Sequence, residues 1–461
     1  MTNETICAIS TAPGVGGIAV IRISGKEAIS LCDRIFQPRK AGKSLALQPA
    51  YSLTYGTIVE KGEAVDDVMM ALFRAPHSFT GEDTVEITCH GSVYIQQRIL
   101  QLLVATGCRL AKPGEFTQRA FMNGKMDLSQ AEAVADLIAS TSAGQHRLAL
   151  SQMRGGFSQK LKELRAKLLH ITSLMELELD FADHEELEFA DRSELKELAV
   201  QIEQVISHLV HSFKVGNAIK NGIPVAIIGE TNAGKSTLLN ALLNEEKAIV
   251  SDIHGTTRDV IEDTMYIQGL QFRFIDTAGI RDTHDTIENL GIERTFQKLE
   301  QADIVLWVID LSEASQQITQ LSGKILPLCQ DKQLILVLNK SDMAKNIPID
   351  LSGFPKQTKT IPISAKQKQG INELQSMLVE SVQIPALSQN DVVVSNVRHY
   401  EALSHALDAI HRVQDGLNND LSGDFISQDL RECIFHLSDI VGDVTTDEVL
   451  GNIFKHFCIG K

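Results

Sequence analysis

Gly229-Glu-Thr-Asn-Ala-Gly-Lys-Ser236 lies between the apolar run Val225–Ile228 and the helix-like run Thr237-Leu-Leu-Asn-Ala-Leu-Leu, and this placement leaves few folds open. Its glycines let backbone N–H groups converge, and the N-terminus of the following helix adds partial positive charge. Strand, loop and helix therefore make a cradle for phosphates. Lys235 is expected to pair with β- and γ-phosphate oxygens and Ser236 to ligate Mg²⁺, with Asn232, Ala233, Gly234 and Thr237 completing the contacts. From 223 to about 380 the chain alternates strands with helices. Val225–Ile228, Phe272–Ile275, Ile304–Ile309, Leu334–Leu338 and Ile361–Ile363 read as strands of a doubly wound parallel sheet.

Three further motifs fall at strand ends in this stretch. Asp276-Thr277-Ala278-Gly279 follows the second strand. Asp276 can hold Mg²⁺ through water, and the Gly279 amide can reach a γ-phosphate. Asn339-Lys340-Ser341-Asp342 ends the fourth strand. The Asp342 carboxylate can accept from both guanine N1–H and N2–H₂, a donor pair that adenine lacks. Each such charge-assisted bond is worth about 1.5–3 kcal/mol. Ser364-Ala365-Lys366 would close over the base from the other side. Between the first two motifs, Gly255-Thr256-Thr257-Arg258-Asp259 offers Thr257 to Mg²⁺ when a γ-phosphate is present. Four motifs in this order predict a hydrolase specific for guanine nucleotides. Residue 280 is Ile, where Ras-type enzymes place a water-orienting glutamine. Asp282, Asp285, Glu288 and Glu293 follow it, and the residues alone do not choose among them.

The remaining chain sets the frame. Its 461 residues exceed one compact core, so two or three domains are expected. With 43% hydrophobic and 22% charged residues the composition is that of ordinary globular proteins. There is no apolar run long enough to span a membrane. The N-terminus carries neither a signal core nor an Arg-rich leader, so a cytoplasmic chain is expected. Seven scattered cysteines without a C-x-x-C pair argue against a disulfide framework or zinc site. A net charge of −16 argues against coating nucleic acid with a general positive field, but allows RNA binding through a local basic patch or a partner. Residues 1–118 read as β-rich, with Pro13-Gly14, Gly16-Gly17 and Pro113-Gly114 as turns. Residues 119–217 read as helical, with Ser129 as an N-cap. Residues 218–382 hold the nucleotide motifs, and 383–461 are helical again. The two helical stretches are expected to pack together around the inserted α/β domain.

The combined pattern resembles the bacterial tRNA-modification GTPase family called MnmE or TrmE, over the whole chain. Beyond the nucleotide motifs, the resemblance rests on Ala12-Pro-Gly-Val-Gly-Gly-Ile-Ala-Val-Ile-Arg22-Ile-Ser-Gly, Val85-Glu86-Ile-Thr-Cys-His-Gly91 and Pro113-Gly-Glu-Phe-Thr-Gln-Arg-Ala-Phe-Met-Asn-Gly-Lys125. Leu179-Asp-Phe and the terminal Phe457-Cys458-Ile-Gly-Lys461 add to it. It implies an N-terminal domain similar to folate-dependent one-carbon enzymes, which binds 5-formyl-tetrahydrofolate or a related reduced folate and mediates a homodimer. Arg22, Glu86, Lys125 and Lys461 match its folate contacts. A pterin's donor edge suits Glu86, and a glutamate tail suits Arg or Lys. Asn232 matches a potassium-coordinating asparagine and Glu288 a water-positioning glutamate. The loop Ser251-Asp252-Ile253-His254-Gly255-Thr256 would add backbone oxygens to the potassium shell at Ser251, Ile253 and Thr256. The family acts on the wobble uridine of tRNA with a flavin-dependent partner, MnmG or GidA, in a heterotetramer or larger assembly. Cys458 lies close in sequence to Lys461, and a nearby lysine lowers a thiol pKa, which marks it as a candidate reactive group. Thr231 stands where many relatives carry proline. The rival readings are a GTP-switched ribosome-assembly or RNA-binding factor without modification chemistry, and a stand-alone one-carbon transferase.

Overall fold

The computed structural model describes residues 4–40, 42, 44–180, 192–244, 263–275, 299–343, 353–355, 358–382, 392–419, 421–444, 446–455, 457 and 460. The chain divides into two compact units. One comprises Met1–Ala139, Ala149–Ser207 and Glu401–Lys461, the other Ser140–Leu148 and His208–Tyr400.

The first unit holds a seven-stranded sheet: β1 (Ile6–Ile9), β2 (Ile18–Ser24), β3 (Phe36–Pro38), β4 (Ser52–Glu60), β5 (Glu63–Phe73), β6 (Thr84–His90) and β7 (Arg109–Leu110), in the order β3-β4-β5-β6-β2-β1-β7. All neighbours are antiparallel except β1 and β7. Lys61 and Gly62 both take positive φ at the β4–β5 turn, the conformation a tight two-residue hairpin needs. Alternation sends Ile21, Ile23, Val85, Ile87, Met70 and Leu72 into one core with the helices Ala28–Ile35 and Val93–Thr106. The other face carries Arg22 and Glu86, which are partners in the β2–β6 register. With seven strands and the helices Ala28–Ile35 and Val93–Thr106, residues 1–118 are β-rich, as read from sequence.

Beside this sheet the helix Glu115–Met122 is held by an ion-pair chain. Arg109 grips Glu115 with two nitrogens, at 2.5 and 3.0 Å, and Glu4 with a third, at 2.8 Å. Arg119 joins Glu115 at 3.1 Å to Glu82 at 3.0 Å. Burial alone would raise the Glu115 carboxyl, but Arg109, the Lys112 N–H and Arg119 hold it below the usual carboxylate range. A depressed carboxyl contributes stability above its unfolded pKa and loses it as pH falls through the folded value.

Asp127, not Ser129, starts the helix Leu128–Ala139. Its Oδ1 accepts from the Gln130 N–H at 3.0 Å, and Gln130 Oε1 accepts from the Asp127 N–H at 3.0 Å. This reciprocal capping box places Ser129 inside the first turn, where its hydroxyl also donates to Asp127. The two sequence-distant helical stretches do pack together. Leu164, Leu168, Ile171 and Met175 on the helix Gly156–Asp180 recur at helical spacing, as do Ile426, Leu430, Cys433 and Leu437 on Gly423–Val441, and these two helices are in extensive contact.

The second unit is a six-stranded sheet in the order β13-β12-β11-β8-β10-β9: β8 (Ile223–Ile228), β9 (Asp263–Ile267), β10 (Leu270–Phe274), β11 (Ile304–Asp310), β12 (Gln333–Asn339) and β13 (Lys359–Pro362). It is parallel apart from the β9–β10 hairpin, and β9 is a sixth strand beyond the five read from sequence. All seven β11 residues are buried, as expected for a central parallel strand covered on both faces. The helices Lys235–Asn244 and Ile371–Ser381 join one core, and Ala314–Ile325 joins another. The segment Ser140–Leu148 clasps the hairpin. Gln145 Nε2 donates to Gln271 Oε1 and to the Lys220 carbonyl, both at 2.9 Å, and Thr141 Oγ1 lies 2.6 Å from the Tyr266 hydroxyl. Among the described residues no helix is long and apolar enough to cross a membrane.

Leu430 is fully buried where the flanking helices meet. Leu430→Ala is expected to cost about 2–5 kcal/mol. In calorimetry it should lower the unfolding midpoint of the first unit while leaving in place the transition that added nucleotide raises. Equal displacement of both transitions would contradict this division.

Candidate functional site

β8 delivers the chain to the phosphate loop at the carboxyl edge of the second sheet. Gly229 takes φ +147° and Gly234 φ +97°, and neither has room for a side chain. A Cβ on Gly229 would lie 2.2 Å from the Val308 carbonyl oxygen, and one on Gly234 would lie 2.1 Å from Asn339 Nδ2. Packing and the approach of a phosphate therefore demand the same residue type. Asn232 sits between them in the left-handed region at φ 67°. The Lys235 ammonium donates to the carbonyl oxygens of Gly229 and Glu230, both at 2.8 Å, so it arches back over the loop. Lys235, Ser236 and Thr237 open the helix Lys235–Asn244, whose first N–H groups and positive dipole end suit an anion.

The base-side motifs meet this loop through one buried side chain. Asn339 ends β12 at 3% exposure. Its Nδ2 donates to the Ala233 carbonyl at 2.8 Å, and its Oδ1 accepts from the Ala365 N–H at 3.0 Å. One amide thus ties the phosphate loop to Ser364-Ala365-Lys366. Fully buried Ser364 pairs with Gln369 through two backbone bonds, and the Ser341 N–H donates to the Ile363 carbonyl at 3.0 Å. Asp342 is exposed, with Oδ2 accepting from Gln367 Nε2 at 3.3 Å. Lys366 is also exposed. Lys340 takes a left-handed φ of 62°, and its ammonium meets Asp310 Oδ2 at 2.6 Å. Neither Asp310 nor Gln367 stands out in the sequence. The available signal for Asp310 is its place at a strand end, in register with Asn339.

The structure therefore brings together Asn232, Ala233, Gly234, Lys235, Ser236, Thr237, Asn339, Lys340, Asp342, Ser364, Ala365 and Lys366. Ser251, Asp252, Ile253, His254, Gly255, Thr256, Thr257, Asp276, Thr277, Ala278, Gly279 and Glu288 lie outside the described residues.

In the first unit, Arg22 and Glu86 form a cross-strand pair, Nε to Oε1 at 2.8 Å, with each side chain about a quarter exposed. The Arg22 guanidinium stands 5.4 Å from the Phe79 ring centroid and 5.7 Å from that of Phe116, two aromatic walls for a planar cation. Lys125 donates to the Pro76 carbonyl at 2.9 Å, and its stem lies against the Gly81 position. The loop from 76 to 81 thus runs between Arg22 and Lys125. Near the chain's end, the Gly460 carbonyl accepts from Ser10 Oγ at 3.1 Å, next to the end of β1. A Cβ at Gly460 would lie 2.2 Å from the Ile9 carbonyl oxygen. Cys458 and Lys461 lie outside the described residues.

A family model described as the MnmE helical domain matches residues 128–458, and one described as the GTP-binding protein TrmE N-terminus matches residues 5–125. The tRNA modification GTPase MnmE of Parabacteroides distasonis is 71% identical over 460 residues, covering 99% of this chain and 100% of that one. Its counterpart from Bacteroides thetaiotaomicron is 67% identical over 467 residues and covers 100% of both chains. That of Porphyromonas gingivalis is 52% identical over 471 residues, with 100% and 98% covered. With matches of this length and identity, on a chain whose phosphate and base loops converge through Asn339, the chain belongs to the MnmE family of tRNA modification GTPases.

Proposed function

We propose that this GTPase couples hydrolysis to the addition of a carboxymethylaminomethyl-type group at C5 of the wobble uridine in tRNA. It would do so as a cytoplasmic homodimer with a flavin-dependent partner of the MnmG (GidA) type, in a heterotetramer or larger complex. The observation that carries the GTP reading is the Asn339 amide, which fixes the phosphate loop and the Ala365 loop on either side of one cleft, beside Asp342. Lys235 and the helix N-terminus take the phosphates, with Mg²⁺ held by Ser236 and Thr257. Membership of a tRNA-modification family disfavours an RNA-binding assembly factor.

Hydrolysis needs a substitute for the glutamine that Ile280 replaces. An arginine finger, where one exists, is worth about 10³–10⁵ in rate. Potassium held by Asn232 and by oxygens of Ser251, Ile253 and Thr256 would stabilise the same developing charge. The left-handed backbone at Asn232, within the phosphate loop, supports that position. Pairing of two nucleotide domains would order the cage, and Glu288 would orient water.

A reduced folate, 5-formyl-tetrahydrofolate or a close relative, would bind at Arg22, Glu86, Lys125 and Lys461. The donor set fits it. Glu86 is an acceptor for a pterin edge, the Arg22 guanidinium lies between aromatic rings, and Lys125 supplies charge for a glutamate tail. The hydrogen bond between Ser10 and Gly460 supports a place for the terminal residues beside this sheet.

Hydrolysis in potassium buffer is expected to exceed that in matched sodium buffer, and the gain should vanish in Asn232→Ala while GTP still binds. Equal rates in both salts would remove the cation. Glu288→Ala should lower the rate by on the order of 10²-fold or more. A full rate in that variant would move the water-positioning role to Asp282 or Asp285.

Calorimetry with 5-formyl-tetrahydrofolate should show binding that weakens by about tenfold or more in Glu86→Ala, the loss of a charge-assisted bond. Absence of binding at millimolar ligand would remove the folate role. Cys458→Ser should reduce modified wobble uridine in tRNA from complemented deletion cells. Full modification there would leave Cys458 without a chemical role.

A further inference from the structure

The Lys340 backbone lies in a region that non-glycine residues seldom adopt. A left-handed φ of 62° in a lysine costs free energy unless the surroundings fix it. In sequence Lys340 stands between Asn339, which ties the two loops, and Asp342, the proposed acceptor for the base. Any relaxation of Lys340 towards an ordinary conformation would swing these two side chains apart. What holds it is on the neighbouring strand. Asp310 ends β11 in direct register with Asn339, and its Oδ2 meets the Lys340 ammonium at 2.6 Å.

Asp310 is itself fixed. Its Oδ1 accepts from the Ser312 N–H at 3.0 Å and from the Ser312 hydroxyl at 2.7 Å, and its own N–H donates to Gln317 Oε1. It is 8% exposed, so its carboxylate is shielded from competing water. Burial alone would raise this carboxyl, yet Lys340 and Ser312 hold it below the usual range, so it is anionic wherever the protein is folded near neutral pH.

We propose that Asp310 is a positioning residue for guanine recognition, acting through Lys340. The ion pair anchors the far end of the lysine and removes the rotamer freedom of its stem, so Asn339 just before it and Asp342 two residues after it are presented at a fixed angle before nucleotide arrives. Asp310 need not touch the nucleotide for this. The proposal rests on the GTPase reading of the same cleft and adds to it a determinant outside all four motifs.

The test is a double-mutant cycle on the full-length protein, with GDP and ADP affinities measured by calorimetry for wild type, Asp310→Asn, Lys340→Gln and the pair. Asp310→Asn is expected to weaken GDP binding by about tenfold, the scale of one charge-assisted bond. Asp310→Glu should recover part of the loss. The double variant should bind GDP no more weakly than Lys340→Gln alone, because Asp310 acts through that lysine. Additive losses in the double variant would overturn the proposal and leave Asp310 a merely structural group. Unchanged GDP affinity in Asp310→Asn would overturn it equally. Wild-type protein that failed to prefer GDP over ADP would instead sink the guanine reading itself, so the two failures are distinguishable.

Discussion

The nucleotide cleft depends on backbone passing backbone with nothing between. Gly229 lies so close to the Val308 carbonyl that a single methyl group would have to displace a strand buried on every residue. A central parallel strand with helices on both sides cannot yield to make room, because cores are packed at crystal-like density. The loop is therefore seated against a fully buried central strand. The same closeness recurs at Gly234 against Asn339, and Asn339 in turn reaches Ala365. On the proposed reading, a packed sheet edge, two glycines and one amide would set where phosphate and base can be, before any ligand contributes binding energy.

The residues that announced themselves in sequence are those whose chemistry is local. The phosphate loop carries its strand, turn glycines and helix within one short run, so its context can be read directly. Asn339 to Asp342 can be read for the same reason, at the end of an unbroken apolar run. Asp310 is different. Its meaning comes from a neighbour in the sheet, and strand adjacency is a non-local fact that no spacing along the chain reports. The Arg22–Glu86 pair, separated by 64 positions, was legible only as a match to a family pattern, since its geometry follows from the β2–β6 register. β9 has the right alternation, Met265 and Ile267 inward, and a Gln268-Gly269 turn with positive φ at both positions. A strand of five residues at a sheet edge carries too little pattern to stand out. At the start of the helix Leu128–Ala139, a serine with good capping chemistry competed with an aspartate two positions earlier. The aspartate won because Gln130 could complete the reciprocal bond.

Charge is used in two different ways across the chain. Around the helix Glu115–Met122 a few arginines and glutamates are gathered into a partly buried chain in which each carboxylate meets at least one guanidinium, so their desolvation is offset by pairing. On exposed flanks, Arg431 of Gly423–Val441 reaches Glu176 of Gly156–Asp180, and Arg412, on the neighbouring helix Val397–Asn418, bridges Asp429 and Glu432 of Gly423–Val441. Exposed pairs of this kind add little stability, but they disfavour other registers of the same helices. Neither arrangement offers a broad positive surface, in keeping with the net charge of −16. Any contact with a polyanion must therefore be made at a local patch or through another protein.

The pairing of the helix Gly156–Asp180 with Gly423–Val441 sets an order of events on the ribosome. The first helix emerges carrying the apolar stripe Leu164, Leu168, Ile171 and Met175, while its partner has yet to be made. The whole segment His208–Tyr400 is synthesised in between. At bacterial elongation rates of about 5–20 residues per second, that wait lasts roughly ten to fifty seconds, far longer than a helix needs to form. During it the stripe has no partner helix, and the charged Lys160, Lys162, Glu163 and Lys167 lie beside it in sequence, as charges that flank unavoidable apolar segments commonly do. The nucleotide unit can complete its own core in this interval. The helical core of the first unit closes last, when Gly423–Val441 reaches a partner helix that was completed by residue 180.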